Sequence, residues 1–198
     1  MTTTENSTTT TTTTATRTTL PLPAGTWTAD PSHTTVGFSV RHLGLSKVRG
    51  RFEGVSAQLI VGDDLASSAV TAEIEMASVS TGNTDRDAHL ASTDFFGAEN
   101  NPTMTFVSKQ ITGTGDEYKL VGDLTLNGIT KPVDLDVEFF GTSVHPADQS
   151  TRAGFSATGT LSRKDFGIEF NMALGGDKVM ISDKVALELD VQLVGPSA

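Results

Sequence analysis

Apolar side chains recur at every second residue in several stretches of the chain. The clearest stretch is 185–193, where all odd positions are apolar and the even positions include Glu188, Asp190 and Gln192. Residues 70–76 and 133–139 alternate in the same way. This alternation is typical of a β-strand with one buried face and one face in water.

Eight strands are predicted on this basis, with turn signals between them. They cover about residues 34–42, 50–62, 68–79, 103–112, 117–126, 132–141, 153–162 and 185–193. Such a set predicts an all-β fold, a single extended eight-stranded antiparallel barrel, because closure removes exposed strand edges. The interior of an eight-stranded barrel is wide enough for packed side chains or one small ligand. We therefore interpret the chain as a container.

Two connections carry specific local signals. Residues 83–92 resemble a short helix with Asn83 or Thr84 as N-cap, one of at most two short helices expected. Asn127-Gly128 predicts a hairpin, because both residues tolerate a positive φ. Residues 163–182 are the longest stretch without a clear periodicity.

The N-terminal segment differs in composition from the rest of the 198 residues. Thirteen of the first nineteen residues are threonine, which leaves too little apolar surface to offset the entropy of ordering. We expect residues 1–24 to be a disordered tail and linker, and residues 25–198 to form one barrel domain. The chain shows no signal-peptide pattern and no apolar run of about 20 residues, so a cytoplasmic protein without stable membrane insertion is expected.

Charge and cysteine content exclude several classes of function. The formal net charge is −10, which disfavours nucleic acid and anionic membranes as general partners. One basic cluster stands out within eleven residues, formed by Arg41, His42, Lys47, Arg49 and Arg51. It is either a solvated face or a site for the polar end of a ligand. The absence of cysteine excludes disulfides, thiolate metal sites and thiol catalysis.

No familiar catalytic or phosphate-binding motif is present. Asp85, Asp87 and His89 form a D-x-D-x-H string, but on a helix residues two apart diverge by about 200°, so acids complementing the helix dipole explain it better than a metal site. Ten phenylalanines accompany one tryptophan and one tyrosine. Each phenylalanine alone is best explained as core, but the excess suggests an interior suited to a hydrocarbon chain.

Several segments together resemble the YceI-like family of polyisoprenoid-binding proteins, which have a lipocalin-like barrel. They are residues 27–42, 47–52, 80–90, 94–96, 122–132 and 161–168, and the resemblance spans about residues 25–195. It implies non-enzymatic binding of a long isoprenoid, such as a quinone or polyprenyl lipid, or of a similar amphiphile, without a cofactor.

The expected ligand-binding residues combine the inward strand positions with the 163–182 segment. They are Phe38, Val40, Phe52, Ile74, Met76, Phe95, Phe96, Phe106, Leu124, Leu126, Phe155, Leu161, Phe166, Phe170, Met172 and Met180. A polar headgroup would need donors at one end of the barrel. We predict His42 and Arg49 for that role, with Arg163 and Lys164 as a second pair.

Two alternatives remain open at this point. One is a small barrel hydrolase or isomerase that uses His33 or His42 with a carboxylate such as Asp165. The other is a stress-related structural or interaction protein whose barrel is filled by its own side chains. A homodimer is compatible with either alternative and with a lipid carrier.

Overall fold

The computed structural model describes residues 18–175 and 179–196. Its strands are β1 Gly25–Ala29, β2 Thr35–His42, β3 Ser46–Phe52, β4 Val55–Val61, β5 Ala69–Glu75, β6 Val79–Ser80, β7 Thr103–Thr114, β8 Glu117–Leu126, β9 Ile129–Val144, β10 Thr151–Ser162 and β11 Ile181–Val194. The α-helix α1 spans Thr84–Ala91, and short 3₁₀ turns lie at Leu65–Ser67, Met76–Ser78 and Arg163–Phe166.

The strands close into the expected eight-stranded antiparallel barrel. Strands β1 and β2 lie end to end beside β11, and β3 and β4 lie end to end beside them. Strands β5 and β6 continue the series in the same way. Strands β7 to β11 then follow in order, and the pairing of β1 and β2 with β11 completes the ring. Three of the eight barrel strands thus consist of two segments each: β1 with β2, β3 with β4, and β5 with β6.

The prediction of one continuous strand over residues 50–62 is therefore wrong. The chain leaves the strand at Glu53 and Gly54 and resumes at Val55. A side chain on Gly54 would meet the Glu75 carboxylate at 2.6 Å, and the Gly54 carbonyl accepts a hydrogen bond from the Glu75 amide. The break lets the 3₁₀ turn at Met76–Ser78 pack beside it.

The alternation in β11 has the expected structural result. Val185, Leu187, Leu189, Val191 and Leu193 all border the interior cavities described below, while Glu188 and Asp190 are exposed. One barrel wall is thus built from a simple period of two, with its apolar face turned inward.

The helix and the hairpin form as predicted. Asn83 is the N-cap of α1, and its side-chain oxygen accepts a 2.9 Å hydrogen bond from the Arg86 amide. Asn127 and Gly128 connect β8 to β9 with φ values of 52° and 72°, as a two-residue turn that follows the strand twist requires.

The barrel has two distinct ends. The mouth end carries the β2–β3 and β8–β9 turns, helix α1 and residues 163–175 and 179–180. The far end carries the β4–β5, β7–β8 and β9–β10 connections. No helix within 18–175 or 179–196 is long and apolar enough to cross a membrane.

The first described residues pack on the far end. Leu20 and Leu22 are buried, and the Thr18 carbonyl accepts a 3.0 Å hydrogen bond from the Leu65 amide. The Trp27 indole donates a 3.1 Å hydrogen bond to the Pro23 carbonyl. The packed domain therefore includes residues assigned above to a linker, and the threonine tract in residues 1–17 lies outside the described residues.

Candidate ligand-binding site

An apolar cavity of about 200 Å³ occupies the far half of the barrel. Its walls come from nearly every strand, and its polar residues are few: Thr34, Gln58 and Tyr118. The Tyr118 hydroxyl donates a 2.7 Å hydrogen bond to the Gly115 carbonyl, and burial raises the pKa of that hydroxyl, with the nearby charge of Asp116 adding to the effect. This far cavity therefore offers a hydrocarbon environment.

A second cavity of about 470 Å³ lies at the mouth end. Its wall consists of β2, β3, β10 and β11 on one side and of α1 with the segment around Phe95 and Phe170 on the other. Unlike the far cavity, this mouth cavity has basic side chains in its lining: His42, Arg86, His89 and Arg163.

Three side chains border both cavities: Met104, Leu161 and Leu187. The two spaces are therefore neighbours along the barrel, and these three side chains form part of the wall of each. Together they lie within the roughly 300–1,000 Å³ typical of small-molecule sites. The arrangement suits a long apolar molecule whose end reaches toward the mouth.

Aromatic rings border the mouth cavity in two groups of contacts. The Phe38 and Phe52 ring centroids are 5.6 Å apart, and those of Phe52 and Phe96 are 5.8 Å apart. The rings of Phe95 and Phe170 lie 5.0 Å apart. These separations are those of favourable tilted contacts, which fix ring positions without requiring hydrogen bonds.

His89 contacts both aromatic rings and a carboxylate at the edge of the mouth cavity. Its ring meets those of Phe95 and Phe170 edge-on, at 5.0 Å and 4.8 Å, and its Nε2 lies 2.9 Å from an Asp94 carboxylate oxygen. One turn earlier on α1, the Arg86 guanidinium donates hydrogen bonds to the Thr81 hydroxyl and carbonyl. Donors thus stand beside an apolar cavity.

Arg163 is a buried cation, with only 3% of its surface exposed. Its guanidinium donates hydrogen bonds to the carbonyls of Ile168, Phe170 and Ser182, and Nη2 lies 3.3 Å from an Asp183 carboxylate oxygen. Most of its donors are occupied by the segment that lacks sequence periodicity. Its position therefore suits support of the cavity wall better than headgroup binding.

Comparison with known proteins agrees with this geometry. A family model for the YceI-like domain matches residues 27–193. The chain belongs to the YceI-like family. A UPF0312 protein of Staphylococcus epidermidis, SERP2314, is 42% identical over 165 residues, which cover 82% of this chain and 94% of that protein.

Solved structures of similar proteins show the same YceI-like barrel. The Campylobacter jejuni YCEI protein is 33% identical, with a TM-score of 0.67, covering 85% of this chain and 96% of that one. A polyisoprenoid-binding domain from Saccharophagus degradans shares the fold at 13% identity, with a TM-score of 0.61, covering 88% of this chain and all of that one.

Most of the predicted ligand-binding residues border one of the two cavities of this YceI-like chain. Ile74, Phe106, Leu124 and Phe155 line the far cavity, and Leu161 lines both. The mouth cavity is lined by Phe38, Val40, His42, Phe52, Met76, Phe95, Phe96, Leu126, Phe170, Met172 and Met180.

Two predicted residues border neither cavity. Arg49 is exposed, because on β3 it faces away from Val48 and Phe52, so the structure does not bring it together with His42. Phe166 is 1% exposed and belongs to the core. Of the second predicted pair, Arg163 is held by main-chain carbonyls, and Lys164 is exposed and 2.9 Å from an Asp183 carboxylate oxygen.

The histidine–carboxylate pairs differ from those considered in the sequence. His33 contacts Asp30 at 3.0 Å and His145 contacts Asp148 at 3.1 Å, both outside the cavities. Among the described residues, no hydrogen bond joins Asp165 to His33 or His42. Within residues 18–175 and 179–196, no group of three or more histidine, aspartate or glutamate side chains is placed to hold a metal ion. Asp87 instead accepts hydrogen bonds from the Thr81 amide and hydroxyl.

Sequence reasoning missed the contribution of α1 to the site. Arg86, His89 and Leu90 line the mouth cavity from α1, and their i, i+3, i+4 spacing is the signal that could have placed them on one helix face. Leu20 lines the far cavity, but a single leucine after a threonine tract carries no comparable signal.

Proposed function

We propose that this protein binds and carries a long-chain isoprenoid or a similar amphiphilic lipid without catalysing a reaction. The observation that carries the proposal is the pair of neighbouring cavities, the far one apolar and the mouth one bordered by basic groups. Membership of the YceI-like family and the shared fold of a polyisoprenoid-binding domain support it.

The proposed orientation places the hydrocarbon tail in the far cavity and the polar end near the mouth. Each buried CH₂ group contributes about 0.8 kcal/mol, so a tail of a few isoprene units supplies micromolar affinity without polar contacts. The polar end would meet His42, Arg86 and His89, which replace the pair His42 and Arg49 as proposed headgroup residues.

Native mass spectrometry of protein purified from its own host tests the proposal directly. We expect a co-purifying lipid whose mass fits a prenyl chain or a comparable amphiphile. Added polyprenol or isoprenoid quinone should bind to delipidated protein with micromolar affinity or better. Empty protein that binds neither class would overturn the proposal.

Headgroup recognition has a separate test with a matched control. Arg86→Gln should weaken a prenyl phosphate more than a neutral prenol of the same length, because a charge-assisted hydrogen bond contributes about 1.5–3 kcal/mol. Arg49→Gln removes the same charge from the outer face and should leave both affinities unchanged. Equal losses for the two ligands in Arg86→Gln would show that Arg86 does not bind the headgroup.

The two rival functions have weaker support. A barrel filled by its own side chains does not fit two cavities of this size. A hydrolase or isomerase needs a base beside the reacting group, and His89 with Asp94 is the histidine–carboxylate pair with a cavity-lining member among the described residues. Turnover of a bound isoprenyl ester that is lost in His89→Gln would favour the enzyme.

A further inference from the structure

Exposed apolar side chains surround part of the mouth. Leu45, at the tip of the β2–β3 turn, is 81% exposed, and Leu43 beside it is 42% exposed. Met172 lies across the opening and is 56% exposed. Main-chain hydrogen bonds connect the β2–β3 turn to the residues across the opening. The Leu43 amide donates to the Met180 carbonyl at 2.8 Å, and the Met180 amide donates to the Met172 carbonyl at 3.1 Å. We call Leu43, Leu45 and Met172 the apolar rim.

Exposed cations lie directly behind this rim. Arg41 and Lys47 are cross-strand partners nearest the tip, and Arg49 follows one pair further on the same outer face. In the part of the chain that the structure describes, none of the three forms an ion pair, whereas Arg51, furthest from the tip, pairs with Glu53 at 2.9 Å. The uncompensated positive charge is therefore concentrated next to the rim.

This combination is unusual for a chain with a net charge of −10. A basic strip beside exposed leucines matches the two components of an anionic membrane surface, phosphate groups outside and hydrocarbon beneath. The acidic remainder of the chain is repelled by such a surface, so the field orients the molecule with the hairpin tip forward.

We propose that the apolar rim and the Arg41–Lys47–Arg49 strip dock transiently on an anionic lipid bilayer, which places the mouth cavity against the membrane. The lipid-transfer role of this contact rests on the proposed function, but the docking itself does not. The rim inserts at the level of the headgroups, and the strip holds lipid phosphates.

Vesicle sedimentation of the full-length protein tests the proposal. Wild-type protein should bind vesicles of phosphatidylcholine with 30 mol% phosphatidylglycerol, and should bind pure phosphatidylcholine at least about fivefold more weakly. Lys47→Gln with Arg49→Gln should lower binding to the anionic vesicles by about tenfold or more, since each cation near the surface contributes about 1 kcal/mol. Leu45→Gln should also lower it.

Matched variants separate docking from overall charge and hydrophobicity. The double variant Lys109→Gln with Lys119→Gln has the same net charge as Lys47→Gln with Arg49→Gln. Its two changes lie on the outer faces of β7 and β8, and it should bind anionic vesicles like wild type. Val107→Gln, 52% exposed on β7, is the control for Leu45→Gln. Equal losses in test and control variants, or no binding of wild type to anionic vesicles, would overturn the proposal.

A vesicle-free assay keeps the two proposals distinguishable. Lys47→Gln with Arg49→Gln should bind dissolved prenol as wild type does, because neither side chain borders a cavity. Protein that docks but binds no prenol would refute the proposed function and leave docking intact. Protein that binds prenol but does not dock would refute only the docking.

Discussion

The guanidinium of Arg163 donates a 2.8 Å hydrogen bond to the main-chain carbonyl of Phe170. Phe170 is the residue whose ring contacts both His89 and Phe95. One buried cation at the end of β10 therefore fixes the position of an aromatic ring on the opposite wall of the mouth cavity. Residues 168–170, which follow the 3₁₀ turn after β10, are held by this side chain rather than by a strand hydrogen-bond ladder.

Arg163→Met should destabilise the fold and loosen the mouth cavity together. It leaves the buried carbonyl of Ile168 and the carbonyl of Phe170 without their donor, and we expect a loss of about 3 kcal/mol in the free energy of unfolding. Urea unfolding measures this loss. Lys164→Met is the matched control, an exposed neighbour that shares Asp183, and should cost less than about 0.5 kcal/mol. Similar losses in both variants would contradict the role of Arg163.

Ala157→Phe should block lipid binding while the barrel stays folded. Ala157 lines the far cavity and is buried, so a benzyl group there occupies space proposed for the tail, at a cost of about 1–3 kcal/mol in stability. Thr158→Phe adds a ring of the same size on the outer face and should bind prenol normally. Titration with a fluorescent prenol analogue checks both variants. Unchanged affinity in Ala157→Phe would place the ligand elsewhere.

Leu20 should limit the length of the ligand. It lines the far cavity at the end opposite the mouth, so Leu20→Ala should extend the space and raise affinity for longer prenols relative to shorter ones. Leu20→Trp should do the reverse. Thr19→Ala, an exposed neighbour, is the control. A set of prenols of increasing length gives the comparison, and an unchanged length profile in both Leu20 variants would contradict the prediction.

Acid should weaken the fold through two carboxylates at the far end. Arg152 contacts Asp30 at 2.5 Å and Asp148 at 2.9 Å. The pKa of Asp30 lies below its ordinary value of 3.8, mainly because of the hydrogen bond with His33. Hydrogen bonds from Ser150 lower the pKa of Asp148 in the same way. Groups with a lowered pKa stabilise the fold above their unfolded-state pKa, and this contribution is lost as the pH falls through the folded-state pKa.

Urea unfolding at pH 6 and at pH 3 measures this contribution. Asp30→Asn with Asp148→Asn should lose less stability between the two pH values than wild type does. Glu188→Gln with Asp190→Asn, on the exposed face of β11, should lose as much as wild type. If the Asp30 and Asp148 double variant is as acid-sensitive as wild type, the pH dependence arises elsewhere.

The strand pattern was predictable where one periodicity governs a whole strand. In β11 the alternation fixed which side chains face inward, because a strand between water and a core leaves no other arrangement. The same alternation places Arg49 on the outer face, opposite Phe52. The prediction of Arg49 as a headgroup residue rested on its position near the strand end and did not apply this alternation.

Other parts of the site depend on contacts distant in sequence. Arg163 is buried because carbonyls of residues 168, 170 and 182 converge on it, and no local pattern distinguishes it from the exposed Lys164. Leu20 is buried because the chain before β1 folds across the far end, against the expectation from its neighbours' composition. Phe140, next to the buried Phe139, is 62% exposed, as the alternation of side chains along β9 predicts.

The boundary formed by Met104, Leu161 and Leu187 bears on how fast a ligand leaves. With Leu20 at the far end, a tail that has passed these three side chains must withdraw lengthwise past them toward the mouth. Each further isoprene unit beyond the boundary then slows dissociation of the ligand. The association rate depends instead on the first isoprene unit to pass these side chains. Retention, more than capture, would thus discriminate long chains from short ones.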